Sequence, residues 1–231
     1  DTSLRRSVDY DYILRASRIS TSAACRSIVF HQRQHDGDRG AGASKFPASE
    51  MVGRWIQHDQ IIFRNIHESW PLDEFLPRGE IVDGRSSRRQ ALIQRGVVMA
   101  RKKMWDHALK DFAQAATLMK GKLTETERQI AQRGTQAKYG VQELLDNSLI
   151  GRGLREIAGL SSVGAELVGE LATGFRWRIR DELTQYHPRK ASRLLQLYIT
   201  LTSSAFHNSR PSDSPWYPED FLVTSHKTPG K

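Results

Sequence analysis

Residues 96–118, GVVMARKKMWDHALKDFAQAATL, constrain the fold more tightly than any other stretch of the chain. Ala108, Phe112, Ala115 and Met119 recur at steps of four, three and four, which places them on one stripe of a helix. Leu92, Gly96 and Met99 share one face of a preceding helix. The charged joint Arg101, Lys102, Lys103 and Met104 separates the two. Small residues stand where two helix backbones would meet, with one aromatic ring between them.

The flanking sequence extends this helical reading. Ser87 and Gln90 have capping-box spacing, so the first helix is expected to begin near Arg88. Gly121 is expected to close the second. Thr124 and Glu127 repeat the capping-box spacing and predict a third helix to about Asn147. Residues 151–162 read as a short helical turn or a loop with two glycines. Val163, Leu167, Leu171, Phe175, Ile179 and Leu183 recur every four residues and predict one long helix. His187 precedes Pro188, whose ring suits the first turn of a further helix. No clear alternating strand pattern occurs, and the expected class is all-α.

Before these helices the chain reads differently. Residues 1–49 are expected to form an extended tail and linker, and 208–231 a second extended tail. Both are polar, weakly periodic stretches that bury too little to fold alone, so they are expected to become ordered against a neighbour. Residues 50–87 read as a short helix and a Pro-rich loop: over 50–66, Met51, Trp55, Ile62 and Ile66 lie near helical spacing, with Ile61 and Phe63 widening the face. A Pro-rich loop follows, pressing Trp70, Leu72, Phe75 and Leu76 onto a neighbouring surface. Residues 88–207 form the helical domain.

Gly96, Ala108, Phe112 and Ala115 together resemble the signature of a tetratricopeptide repeat, with Leu92 at the position where that family often has Trp or Leu. The resemblance spans residues 88–121, the length of one repeat. It implies a helical hairpin in which the glycine lets the second helix approach. Two positions depart from the pattern: Arg95 replaces an apolar residue and Lys120 replaces the helix-ending Pro. No second copy occurs at that spacing, and stable arrays generally need three or more repeats. The resemblance therefore implies a packing device, with Leu92, Gly96, Ala108, Phe112 and Ala115 as helix-packing residues, and no peptide-binding groove.

The chain is basic, with 35 Lys and Arg against 26 Asp and Glu. That balance suits RNA, an anionic membrane surface or an acidic protein neighbour. It is patchy: residues 85–120 hold nine bases and two acids, whereas 51–84 hold three bases and six acids. The single cysteine, Cys25, excludes an internal disulfide and a cysteine-rich structural zinc site. No apolar run reaches the ~20 residues that span a bilayer. Residues 4–30, rich in Arg and Ser but interrupted by Asp9 and Asp11, are expected to follow a lost mitochondrial targeting signal.

No reaction is announced. His31 and His35 lack a third ligand at convincing spacing, so no metal is expected. Residues 37–44, GDRGAGAS, lack the lysine of a phosphate loop and any preceding strand. No nucleophile motif occurs, and neither a catalytic residue nor a cofactor is expected. Asp181 and Glu182 read as members of a surface ion-pair face. Two basic constellations stand out as partner- or anion-binding candidates: Arg101, Lys102 and Lys103, and Arg176, Arg178 and Arg180 around Trp177.

These features predict a non-catalytic accessory subunit of a large mitochondrial assembly, on the matrix side. The favoured setting is the soluble side of a respiratory complex or ATP synthase, with other protein subunits as partners and peripheral contact with anionic lipid as an option. The alternative is a mitochondrial ribosomal protein binding rRNA through its Arg-rich faces.

Overall fold

The structure, a computed structural model, describes residues 8–20 and 48–207 and is all-α over them. It divides into two units, Asp1–Glu68 and Ser69–Lys231. Residues 21–47 and 208–231 lie outside the described residues, and with them Cys25, His31, His35, the glycine-rich stretch 37–44 and the C-terminal tail.

The first unit holds α1 (Val8–Ile19) and most of α2 (Ala48–Ser69). The first of these falls inside the stretch whose sequence suggests an extended tail. Within it, Arg15 donates from Nε to Asp11 Oδ2 at 2.9 Å, one helical turn away, and Asp11 is buried. The Tyr10 and Phe63 rings lie 6.0 Å apart at a tilt of 46°. Ile62, Phe63 and Ile66 are the buried side of α2, while Trp55 and Ile61 are exposed. The helix is longer than its sequence suggests because no proline interrupts it until Pro71.

In the second unit, a single 3₁₀ turn (Leu72–Phe75) precedes α3 (Arg85–Arg101) and α4 (Trp105–Leu118). Then come α5 (Glu125–Arg133), α6 (Lys138–Asp146), α7 (Ser148–Leu160), α8 (Ser162–Thr173), α9 (Phe175–Thr184) and α10 (Pro188–His207). At the centre lies α8, packed against α4, α5, α7, α9 and α10. Its composition explains the position: Val163, Leu167, Val168, Leu171 and Ala172 are all buried, and a helix apolar nearly all round has no face to give to water.

The cap signals locate some joints and miss others. Thr124 Oγ1 accepts from the Glu127 amide at 3.2 Å while the Glu127 carboxylate accepts from the Thr124 amide at 2.7 Å, the reciprocal box expected there. Near Ser87 the helix starts a turn earlier than expected, at Arg85. Ser87 is instead the residue reaching back, its Oγ accepting from the Gly84 amide at 3.1 Å. Residues 151–162, read as a short helical turn or a loop, belong largely to the full helix α7, in which Ile150, Leu154, Ile157 and Ala158 are buried. Asn147 caps this helix by accepting from the Leu149 amide at 3.1 Å.

The two long helices expected over 124–147 and from Val163 onward are each broken. The first divides at residues 134–137 and the second at Gly174, and the two breaks meet. Thr135 Oγ1 donates to the Leu171 carbonyl at 2.5 Å, and a Cβ on Gly174 would strike the Thr135 hydroxyl and the Gln132 carbonyl. The periodic stripe persists through Phe175, but Ile179 is half-buried and Leu183 exposed. Pro188 opens α10 as its sequence predicts.

Candidate functional site

The α3–α4 pair contains the five helix-packing candidates. Leu92, Gly96, Ala108, Phe112 and Ala115 are all buried. A Cβ placed on Gly96 would lie 2.6 Å from Phe112 Cε1, so the ring occupies the space a side chain would need. The joint tightens through Lys103 in the left-handed region at φ 62°, with its amide donating to the Ala100 carbonyl at 3.1 Å.

Arg95, the residue that departs from the repeat pattern, is accommodated inside the pair. It donates from Nε and Nη2 to the two carboxylate oxygens of Asp111 at 2.9 and 2.7 Å. Its guanidinium also stands 5.9 Å from the Phe75 ring centroid. The aromatic of the Pro-rich loop thus packs on α3 through a cation, an arrangement worth more as it is withdrawn from water.

Further ion pairs bind one helix to the next. Arg89, 1% exposed, reaches Glu127 of α5 through Nε and Nη2, both at 2.7 Å, and donates to the Lys122 carbonyl at 3.0 Å. Glu127 therefore serves a helix cap and a guanidinium at once. Arg128 reaches Glu166 of α8 at 2.7 Å, and the Leu123 amide donates to the same carboxylate at 2.8 Å. Hydrogen bonding to Glu166 holds the Arg128 guanidinium above its ordinary pKa. Gln132 adds a hydrogen bond to Glu170 at 2.8 Å. In sequence Arg89 looks like one more solvated arginine of a helix start. The available signal is phase: it lies three residues before Leu92 and seven before Gly96, on the face those residues bury.

The basic constellations are not presented as two open clusters. In the first, Arg101 is exposed, Lys102 is half-buried, and Lys103 sits 3.6 Å from Glu143. In the second, Arg178 corrects the sequence reading. It turns inward and is buried, bonding Asp181 and Glu182 at 2.9 Å each and standing 5.4 Å from the Trp177 ring centroid. The cause is angular: at about 100° per residue Arg178 falls on the opposite side of α9 from Arg176 and Arg180, which lie one turn apart on a shared face. Glu182 is likewise buried, with His187 Nδ1 3.0 Å from its other oxygen, and so is not part of a surface face. Arg176 remains exposed and donates to the Tyr198 hydroxyl at 3.0 Å. Arg180 is exposed and has no ion pair among the described residues.

Among the described residues, no group of three or more His, Cys, Asp or Glu side chains could hold a metal ion. No helix among them is long and apolar enough to cross a membrane. Compared with family models, curated proteins and solved structures, the chain matches none.

Proposed function

We propose that the chain is a non-catalytic helical subunit of a large assembly, and that this assembly is mitochondrial: the soluble side of a respiratory complex or ATP synthase. The observation that carries the reading is the use made of charge between helices, buried in the Arg89–Glu127 pair and partly exposed in the Arg128–Glu166 pair. Arg89–Glu127 ties α3 to α5, Arg95–Asp111 ties α3 to α4, and Arg128–Glu166 ties α5 to α8. A catalytic acid or base must reach a substrate proton; these carboxylates are held by guanidinium groups at helix joints. Such pairs favour one packing arrangement over its competitors, a property suited to a rigid scaffold.

Arg101, Arg180, Arg189 and Lys190 are exposed and have no ion pair among the described residues, which suits an acidic neighbour. The same cations favour the second reading, an rRNA-binding ribosomal protein. Binding of the full chain to an rRNA fragment over a range of salt separates the two. The assembly reading predicts weak binding indifferent to sequence. Tight binding that falls steeply with salt, and is lost when Arg176 and Arg180 are replaced by Gln, would put the ribosomal reading in its place.

A further inference from the structure

The hairpin of α9 and α10 leaves part of its own seam uncovered. Residues 185–187 join the helices, and the Arg176–Tyr198 hydrogen bond fixes how they lie side by side. In that register Ile179 stands level with Leu195. Leu183 follows one turn along α9, and Ile199 one turn along α10. The inner sides are filled by Phe175 and Glu182 of α9 and by Ala191, Leu194 and Leu201 of α10. Beside them Leu183 is 55% exposed, Leu195 47% and Ile199 53%. Singly exposed apolar residues are ordinary; here they form two rows along one seam.

The charge around this seam has one sign. On the α9 side of it Arg176 and Arg180, one turn apart, are exposed, and neither has a carboxylate partner among the described residues. The two acids of the hairpin are already engaged, Asp181 by Arg178 and Gln185, Glu182 by Arg178 and His187. We infer that this seam docks an acidic amphipathic helix of a neighbouring subunit. Its apolar side would lie on Ile179, Leu183, Leu195 and Ile199, with its carboxylates facing Arg176 and Arg180. Two rows spaced by a helical turn match apolar anchors at i, i+3, i+4 and i+7. A second copy of the same seam would bring cation against cation. The inference rests on the assembly reading above and adds the chemistry of the partner.

The test titrates the full chain into a labelled synthetic helix of about five turns, built of Leu, Ala and Glu with leucines on one side. A counterpart with Lys for every Glu serves as control. The expected result is binding of the acidic peptide alone, weakened by salt. Leu195→Asn with Ile199→Asn should weaken it about tenfold or more, and Arg180→Glu several-fold, with helix content unchanged by circular dichroism. Equal binding of the Lys peptide, or parent-like binding by the variants, would overturn the inference. So would release of the variants from phosphatidylcholine–phosphatidylserine vesicles that hold the parent, which would make the seam a lipid-binding surface. A parent dimer that the variants dissolve would assign the seam to a second copy. At least tenfold tighter peptide binding after truncation following His207 would assign it to residues 208–231 of this chain, whose stretch 211–226 has three acids and no Lys or Arg. Seam variants that still co-sediment with the assembly would defeat the inference and leave the assembly reading standing; a parent that sediments alone would defeat both.

Discussion

Gly96 of α3 and the Phe112 ring of α4 approach so closely that a Cβ on the glycine would lie 2.6 Å from Phe112 Cε1 and 2.8 Å from Cδ1. One of the two must give way if Gly96 gains a side chain, and neither has room, since Phe112 is fully buried. Gly96→Leu should lower stability by about 1–3 kcal/mol in urea denaturation. Adding Phe112→Leu should return part of that loss. A Gly96→Leu protein with the midpoint and slope of the parent would show that the two helices do not depend on this approach.

Arg89 and Glu127 are 2% and 1% exposed at their side chains and meet at 2.7 Å. Removing one member leaves the other charge buried, so Arg89→Met should cost about 3–5 kcal/mol. The double replacement Arg89→Met with Glu127→Leu should recover much of it, because no charge then remains to be desolvated. A double variant no more stable than the single one would indicate that Glu127 matters chiefly as the cap of α5.

Tyr186 adopts φ 59° in the turn between α9 and α10 and is 91% exposed. Its ring packs on little, while its backbone occupies a region that favours glycine. Tyr186→Gly should therefore raise stability by about 0.5–1 kcal/mol, read as a higher melting temperature. A lower melting temperature would mean that the ring has a partner on this surface.

The sequence-derived helical class agrees with the structure because it depends on periodicity, a local property, and the five packing candidates of α3 and α4 are buried in it. Thr124 and Glu127 mark a helix start for the same reason. Where an outcome depends on a distant element, the pattern misleads. Nothing near Gly174 reports that the joint between α5 and α6 will press on it, so the stripe from Val163 reads as one helix. Arg178, by contrast, is readable locally: it lies three residues from Phe175 on the same side of α9, where Asp181 and Glu182, one turn on, take up its charge. Arg89 is legible only once its phase with Leu92 and Gly96 is weighed above its charge.

Sedimentation of a mild-detergent mitochondrial extract, with the tagged full chain followed through the gradient, tests the central claim most directly. The expected result is migration with a particle far heavier than the chain's own 26.3 kDa, unchanged by ribonuclease and distinct from ribosomal fractions. Migration as a free monomer, absence from the mitochondrial extract, or a shift to lighter fractions on ribonuclease treatment would contradict it.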